Sequence, residues 1–318
     1  GILIPKTERP TTKYQDVFGK TLVALATQND TIVGITPAMP TGSSMKLMMD
    51  AFPERSFDVG IAEQHAVTLA AGMATAGFLP FCAIYATFLQ RAYDQVIHDV
   101  ALQNLSVVFC LDRAGLVGQD GPTHHGVFDI AMLRTIPNMR ILAPRNEIQL
   151  RNTLYTLQLE IDGPVAIRYP RGYGKISNWE LPFEKIDLDR GHCLKEGKEI
   201  AILSVGTMGD NVNEALELME DRCSPSHYDL GSIKPLDDSL LHGVFKTYTT
   251  IITVEDSALA GGAGSAVLEW ANAQGYSQTI KRIGIPDHFI PHGTTAQLQQ
   301  EVGLDAAGIA AVVLDLQK

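Results

Sequence analysis

The sequence predicts an α/β protein of two domains, each built on a mainly parallel sheet flanked by helices. Two observations support this prediction. Strand-like apolar runs alternate with helical stretches twice along the chain, and a charged stretch without that pattern, residues 176–197, separates the two series. Such alternation is typical of parallel sheets covered by helices. A length of 318 residues is sufficient for two domains with cores of their own.

The first series occupies residues 13–175. Its candidate strands are residues 31–35, 81–84, 106–111, 140–143 and 165–169. Its candidate helices are residues 15–26, 62–76, 88–102 and 147–159. Ligands of open parallel sheets bind beyond the carboxyl ends of the strands. We therefore expect a site among the segments that follow the strands, which are residues 37–43, 85–87, 112–126 and 170–174.

The second series occupies residues 198–318 and predicts a smaller α/β domain. Its candidate strands are residues 200–205, 226–230, 250–254 and 280–285, and its candidate helices are residues 211–220 and 264–273. Residues 1–12 are polar and contain proline, which indicates a linker or a cut end. Residues 176–197 are interpreted as a linker between the domains.

Composition excludes several classes of function. The 25 Lys and Arg residues against 36 Asp and Glu leave a net charge of −11, whereas a nucleic-acid partner requires a basic face. No apolar run approaches the roughly 18 residues of a membrane span, so no membrane partner is expected. The four cysteines show no CxxC spacing, which fits a reducing cytoplasm and argues against disulfides or a zinc site.

Residues 112–126, DRAGLVGQDGPTHHG, are expected to contact a ligand. The segment follows a buried strand and combines four glycines with Arg113, Asp120, His124 and His125. Glycines allow a ligand to approach the backbone closely, and Arg and His donate hydrogen bonds to anionic or hydroxylated groups. A metal site at the two adjacent histidines is disfavoured, because neighbouring residues rarely point at one ion and no third ligand follows at a typical spacing.

A carboxylate, Glu63, stands at the start of a small-residue run over residues 66–76 that predicts a tightly packed helix. From this segment alone a helix-capping role and a functional role both remain open. Nearby, Tyr85 and Phe88 end a strand. They form either an aromatic wall for a planar ring, with Arg91 turned toward a cleft, or part of the core.

If the aromatic residues belong to the core, Arg91 is expected to pair with Asp94 or Asp120. Two further arginines, Arg168 and Arg171, close another strand beside Pro170. One of them is expected to project beyond the sheet edge toward a phosphate or carboxylate, with a surface salt bridge as the alternative.

In the second domain, residues 204–210 and 255–267 are rich in glycine but do not match the dinucleotide-binding pattern. These glycines are interpreted as packing positions between helices and the sheet. His288 and His292 are interpreted as interface or structural histidines.

These segments together resemble the 1-deoxy-D-xylulose-5-phosphate synthase family of the transketolase superfamily. The motifs that match are DVGIAEQHAV, YATFLQRAYDQVIHDVA, DRAGLVGQDGPTHHGVFD, IPNMRILAPRNE, IRYPRG, IKPLDDSL, VEDSALAGGAGSAV and GIPDHFIPHG. The resemblance implies a transferase that uses thiamine diphosphate and Mg²⁺. Its substrates would be pyruvate and glyceraldehyde 3-phosphate, and its products 1-deoxy-D-xylulose 5-phosphate, a precursor for isoprenoid, thiamine and pyridoxal synthesis, and CO₂. Residues 13–175 would be the pyrimidine-binding domain and residues 198–318 the transketolase C-terminal domain.

The resemblance also implies roles for single residues. Glu63 matches the glutamate that hydrogen-bonds the aminopyrimidine of the cofactor, and Phe88 the aromatic residue that stacks on that ring, with Tyr85 beside it. The substrate pocket would consist of Tyr85, Arg91, Arg113, Asp120, His124 and Arg171. Among these, Arg113 and Arg171 would hold the phosphate, and His124 would support the reaction intermediate or a proton transfer.

The sequence departs from the superfamily in one respect, which is the motif that binds the diphosphate and the metal ion. The GDG motif that binds them is absent from these 318 residues. We therefore expect a fragment of the full synthase that lacks the domain for diphosphate and Mg²⁺ and is inactive alone. The alternatives are a natural split transketolase subunit, a β-type subunit of a 2-oxoacid dehydrogenase and a non-catalytic scaffold. A cytoplasmic homodimer with residues 66–76 at its contact is also expected.

Overall fold

The computed structural model describes residues 11–317, and the strands of this part form two sheets. Of the linker expected over residues 1–12, residues 1–10 lie outside the described part. The strands are β1 (Ile32–Thr36), β2 (Ser56–Asp58), β3 (Leu79–Tyr85), β4 (Val108–Ala114), β5 (Arg140–Leu142), β6 (Val165–Pro170), β7 (His192–Lys195), β8 (Ile200–Ser204), β9 (Ser226–Asp229), β10 (Ser232–Lys234), β11 (Thr250–Ala258) and β12 (Thr279–Ile285).

The helices alternate with these strands in chain order. They are α1 (Tyr14–Ala26), α2 (Met45–Ala51), α3 (Glu63–Thr75), α4 (Tyr93–Gln95), α5 (Asp129–Arg134), α6 (Glu147–Glu160), α7 (Met208–Leu218), α8 (Asp238–Thr247), α9 (Ala263–Ala273), α10 (Thr295–Glu301) and α11 (Ala306–Asp315). The single helix predicted over residues 88–102 is wrong. That stretch consists of a 3₁₀ helix (Phe88–Ala92), the short α4 and a π-helix (Val96–Ala101).

The predicted α/β class with two mainly parallel sheets is confirmed. The first sheet has the order β10-β5-β6-β4-β3-β1-β2, and all its pairs are parallel except β10 with β5. The second has the order β12-β11-β8-β9-β7, with β7 antiparallel to β9. Strand β10 lies in the second half of the chain but completes the edge of the first sheet, which the sequence pattern did not indicate.

The two domains share an apolar core. One cluster of buried side chains runs from Leu133 and Ile141 of the first domain to Leu203, Leu230 and Phe245 of the second. Burial of such side chains is the main favourable term in folding. The interface is therefore continuous with both domain cores.

A buried ion-pair network crosses the same interface. Arg168 on β6 donates from Nε to Asp129 at 2.8 Å and from Nη1 to Asp256 of β11 at 2.6 Å. Burial raises the pKa of Asp129, and the guanidinium of Arg168 opposes that rise. The side chain of Arg168 thus belongs to the domain interface and does not project beyond the sheet.

The glycine-rich segment at residues 255–267 surrounds an internal anion. The buried carboxylate of Glu255 accepts hydrogen bonds from the backbone N–H groups of Ala263 at 2.7 Å and Gly264 at 2.8 Å, at the start of α9. A helix N-terminus of this kind attracts phosphate groups in nucleotide-binding proteins. Here the protein's own carboxylate occupies that position.

The segment interpreted as a linker, residues 176–197, is packed against the first domain. The buried side chain of Trp179 donates from Nε1 to Thr12 Oγ1 at 2.9 Å, and Leu188 is also buried. Its last residues form β7. Within residues 11–317, no helix combines the length and apolar character needed to span a bilayer.

A buried histidine, His227, predicts acid sensitivity of the fold. Its Nε2 lies 2.8 Å from Ser204 Oγ and its Nδ1 lies 2.9 Å from Asn213 Oδ1, and burial lowers its pKa from 6.5 to about 4. The folded state thus holds the neutral ring, so this stabilisation is present above pH 6.5 and is lost as pH falls toward 4. Between about pH 7.5 and about pH 5, the free energy of unfolding should fall by about 2 kcal/mol from this group.

Denaturant unfolding of the chain and of His227→Gln at the two pH values measures this contribution. The glutamine can still accept the hydrogen bond of Ser204 but does not titrate, so its pH dependence should be about 2 kcal/mol smaller. Equal pH dependence in both proteins would contradict the prediction.

Candidate functional site

Loops from four neighbouring strands meet at the carboxyl edge of the first sheet. They follow β1, β3, β4 and β6, as predicted. Contacts join them directly. Arg113 Nη1, at the end of β4, donates to the carbonyl oxygen of Gly42 after β1 at 2.7 Å, and the Arg113 guanidinium lies 4.0 Å from the ring centroid of Tyr85 on β3. The edge therefore brings together side chains that are distant in the sequence.

Glu63 is the first residue of α3, and only 3% of its side chain is exposed. It makes no side-chain cap of the helix. Its Oε1 instead accepts from Arg91 Nη1 at 2.6 Å. Arg91 is 52% exposed and pairs with Glu63 instead of the expected Asp94 or Asp120. A buried carboxylate with an exposed arginine at its mouth can exchange that arginine for a ligand.

An aromatic group stands beside this carboxylate. The rings of Tyr85 and Phe88 are stacked with centroids 5.6 Å apart, and His124 contacts the Phe88 ring edge-on at 5.3 Å. The guanidinium of Arg91 lies 4.8 Å from the Phe88 centroid. Flat π surfaces at these distances favour a planar ring as their ligand. Burial raises the pKa of Tyr85, which keeps its hydroxyl protonated.

Arg113 is held rigidly at the end of β4. Its side chain pairs with the fully buried carboxylate of Asp112 and donates to Gly42, and its backbone φ is +62°. Burial raises the pKa of Asp112 to about 7, and Arg113 opposes the rise. A Cβ at Gly42 would overlap the Tyr85 hydroxyl, so this close approach requires glycine. The result is a fixed cation that faces the site.

A second cation lies nearby but is more exposed. Arg171 pairs with Asp120, and its Nη1 also donates to the carbonyl oxygen of Val117 at 3.3 Å. Both ionic side chains are partly exposed, and both act electrostatically on Tyr85. An exposed pair of this kind contributes little to stability. An anionic ligand can therefore displace Asp120 from the arginine at small cost.

All eight residues expected at the site lie in this region. Glu63, Arg91, Phe88, Tyr85, His124 and Arg113 form one chain of contacts, while Asp120 and Arg171 form a pair beside it. The Nδ1 of His124 lies 2.9 Å from Thr123 Oγ1.

The sequence assigned no individual role to Gly42 and Asp112, which hold Arg113, or to His125, whose Nδ1 accepts from the backbone N–H of Val117 within the loop at 3.1 Å. Asp112 and His125 lie inside the segment 112–126 that was singled out, and Gly42 lies in the predicted loop 37–43. The feature of the sequence that could have identified these residues is therefore their place in segments that follow strands of the first sheet. Their individual partners are visible only in the folded chain.

An apolar cavity of about 690 Å³ lies between the two domains and borders the loop at residues 112–126 through Pro122 and His125. Its lining includes Phe128, Arg282, His288 and Phe289. His288 and His292 are both exposed. Within residues 11–317, no group of three or more His, Cys, Asp or Glu side chains is arranged to hold a metal ion.

Comparison with protein-family models gives two matches that together cover most of the chain. Residues 11–175 match the model "Transketolase, pyrimidine binding domain", and residues 189–309 match "Transketolase, C-terminal domain".

Two curated relatives that match the chain are both named 1-deoxy-D-xylulose-5-phosphate synthase. The chain is 56% identical over 306 residues to a 1-deoxy-D-xylulose-5-phosphate synthase from Cytophaga hutchinsonii, with 96% of this chain and 48% of the relative covered. It is 54% identical over 310 residues to the synthase of Parabacteroides distasonis, with 97% and 49% covered. The chain thus spans about half the length of the curated relatives that it matches.

Solved structures show the same fold. A split gene transketolase, described as an inactive β4 tetramer, superposes with a TM-score of 0.83 at 29% identity and covers 96% of this chain and 98% of its own. A transketolase from Campylobacter jejuni superposes with a TM-score of 0.77 at 19% identity, over 99% of this chain and 48% of its own.

Proposed function

The chain belongs to the transketolase family, and from this premise we propose that it is the pyrimidine-binding and C-terminal part of a 1-deoxy-D-xylulose-5-phosphate synthase. The whole enzyme would condense pyruvate with glyceraldehyde 3-phosphate to 1-deoxy-D-xylulose 5-phosphate and CO₂. The observation that carries this proposal is the buried carboxylate of Glu63 beside stacked aromatic rings and two arginines at one sheet edge. Identity of 56% to a synthase, against 29% to the split transketolase, favours the synthase.

The residues of the site fit the aminopyrimidine part of thiamine diphosphate. Phe88 offers a ring face for stacking, and the buried Glu63 offers a carboxylate that can hold a proton at a ring nitrogen. When bound there, the cofactor would supply a nucleophilic carbon for attack on the keto group of pyruvate. We propose that Glu63 exchanges Arg91 for the ring nitrogen when the cofactor binds, which would free Arg91 to contact pyruvate.

We further propose that residues outside this sequence hold the diphosphate and Mg²⁺. This rests on the length comparison, since the relatives are about twice as long as the region that matches. A domain of that kind would have to approach the sheet edge at Glu63. Family resemblance also motivates two finer proposals: a cytoplasmic location, and a homodimer in which α3 contributes to the contact.

The two arginines would bind the phosphate of glyceraldehyde 3-phosphate. Arg113 is fixed by Asp112, Gly42 and Tyr85, whereas Arg171 is held only by Asp120 and one carbonyl oxygen. Arginine suits this role because its planar donors match phosphate oxygens in pairs. We propose that Arg113 sets the position of the phosphate and that Arg171 closes on it as Asp120 is displaced. His124, against Phe88, would then face the reacting carbon atoms.

Arg113→Met tests this assignment. In an assembly of the chain with the remaining half of a curated relative, the KM for glyceraldehyde 3-phosphate should rise about 10- to 100-fold, because a hydrogen bond to a charged group contributes about 1.5–3 kcal/mol. Steady-state kinetics with each substrate varied in turn measure the effect, and the KM for pyruvate should change little.

Lys20→Met, at an exposed ion pair with Glu180, is the matched control and should leave both KM values unchanged. An unchanged KM for glyceraldehyde 3-phosphate in Arg113→Met, or an equal rise in the KM values of both substrates, would refute a specific role of Arg113 in binding the phosphate.

A further inference from the structure

The loop at residues 112–126 rests on the second domain. The backbone N–H of Gly293 donates to the carbonyl oxygen of Gly118 at 3.4 Å. A Cβ at Gly118 would lie 3.0 Å from the Gly293 oxygen, and a Cβ at Gly121 would lie 3.2 Å from the Cβ of His292. A Cβ at either position would be crowded by the second domain, and the backbone φ values of +84° at Gly118 and +72° at Gly121 favour glycine. The turn at residues 291–295 forms a closely fitted support for the loop.

One buried side chain connects this support to the loop interior. His125 is 3% exposed. Its Nδ1 accepts from the backbone N–H of Val117 at 3.1 Å, and its Nε2 lies 3.1 Å from the carbonyl oxygen of Pro291. Because Nδ1 is an acceptor, the ring proton is on Nε2, which donates to Pro291. A single neutral imidazole therefore links two parts of the loop and ties both to the second domain.

The residues attached to this loop are those proposed to contact substrate. Arg113 begins the loop, Asp120 lies near its middle and His124 directly precedes His125. A displacement of about 1 Å at such groups can reduce kcat/KM by up to about 100-fold. None of the proposed site residues belongs to the second domain, although that domain contacts the loop at Gly118, Gly121 and His125.

We propose that His125 is a positioning residue through which the second domain holds Arg113, Asp120 and His124 in place. The contact between the second domain and the loop is seen in the structure, whereas its effect on the binding of glyceraldehyde 3-phosphate rests on the proposed function. Gly118 and Gly121 allow the loop to lie close to residues 291–295, and His125 fixes the position of the loop on these residues. The second domain would therefore determine substrate affinity without touching substrate.

Two substitutions of His125 test the two hydrogen bonds of its ring one at a time. His125→Asn places an amide where Nδ1 stood, so it can keep the bond from Val117 but does not reach Pro291. His125→Gln places an amide near the former Nε2 and can keep the bond to Pro291. Hydrogen exchange of the chain alone should be about tenfold faster over residues 115–126 in His125→Asn than in His125→Gln. Exchange at β1 reports whether the rest of the first domain stays folded.

The same variants are then assayed in the assembly with the remaining half of a relative. His125→Asn should raise the KM for glyceraldehyde 3-phosphate about tenfold with a smaller change in kcat, and His125→Gln should restore most of the loss. His192→Asn, at an exposed histidine on β7, is the control and should match the unmodified chain. Equal exchange rates over residues 115–126 in His125→Asn and the unmodified chain would show that the second domain does not hold the loop through His125. Equal KM values for glyceraldehyde 3-phosphate would show that the contact has no effect on substrate binding. If exchange responds as expected but the unmodified assembly forms no product, the proposed function fails and the support stands.

Discussion

Glu63→Ala should lower the rate of pyruvate decarboxylation by about 10²- to 10⁴-fold, the range that a positioned acid–base group contributes. The physical reason is that Glu63 is a buried carboxylate next to Arg91 and the aromatic rings, in the position that we propose for the group that holds a proton at the cofactor ring. The measurement is CO₂ release by the chain assembled with the remaining half of a curated relative. The chain without that half is the blank and should show only background.

The matched control is Glu54→Ala, which removes an exposed glutamate from the 3₁₀ helix Pro53–Arg55 and should have full activity. The fold of Glu63→Ala should persist, because the arginine left without its carboxylate, Arg91, is half exposed. Activity of Glu63→Ala within twofold of the unmodified assembly would favour a non-catalytic scaffold and remove the basis of the proposed mechanism.

Arg168→Met should destabilise the chain by about 3–5 kcal/mol at neutral pH, the cost of breaking a buried ion pair. The substitution leaves Asp129 and Asp256 without their shared cation inside the domain interface. Burial raises the pKa of Asp129, so this carboxyl can take up a proton once Arg168 is removed, and the loss should be smaller at about pH 5 than at about pH 8. Denaturant unfolding at the two pH values measures both effects.

Lys175→Met provides the comparison at an exposed site. Lys175 follows β6 and pairs across the domains with Glu214 at 2.7 Å, with both side chains more than half exposed. Exposed pairs contribute about 0–1 kcal/mol. If Arg168→Met costs no more than Lys175→Met, the buried network does not hold the domains together.

The location of the site was predictable because it depends on local patterns. Alternating apolar runs identify parallel strands, and the polar and glycine-rich segments that follow them must meet at one edge. Residues 112–126 were therefore predicted to contact a ligand, and this stays a prediction. The predicted α/β class is confirmed for the same reason.

The partners of individual charges were not predictable, because they join residues far apart in the sequence. Arg168 and Asp256 are separated by 88 positions, and Arg91 and Glu63 by 28. Helical spacing suggested Asp94 for Arg91, yet the break of the predicted helix into 3₁₀, α and π segments changes where its side chains lie. The sequence pattern argued against a dinucleotide loop at residues 255–267, but spacing alone did not indicate that the buried carboxylate of Glu255 accepts hydrogen bonds from the start of α9.

The edge strand β10 has a practical consequence for any attempt to express the first domain by itself. Its residues, Ser232–Lys234, come from the second half of the chain but pair with β5. A protein cut within residues 176–197 would expose the unpaired backbone of β5, and open sheet edges of that kind recruit strands from other molecules. Aggregation of a truncated first domain would then report a missing strand and would say nothing about the intrinsic stability of the domain.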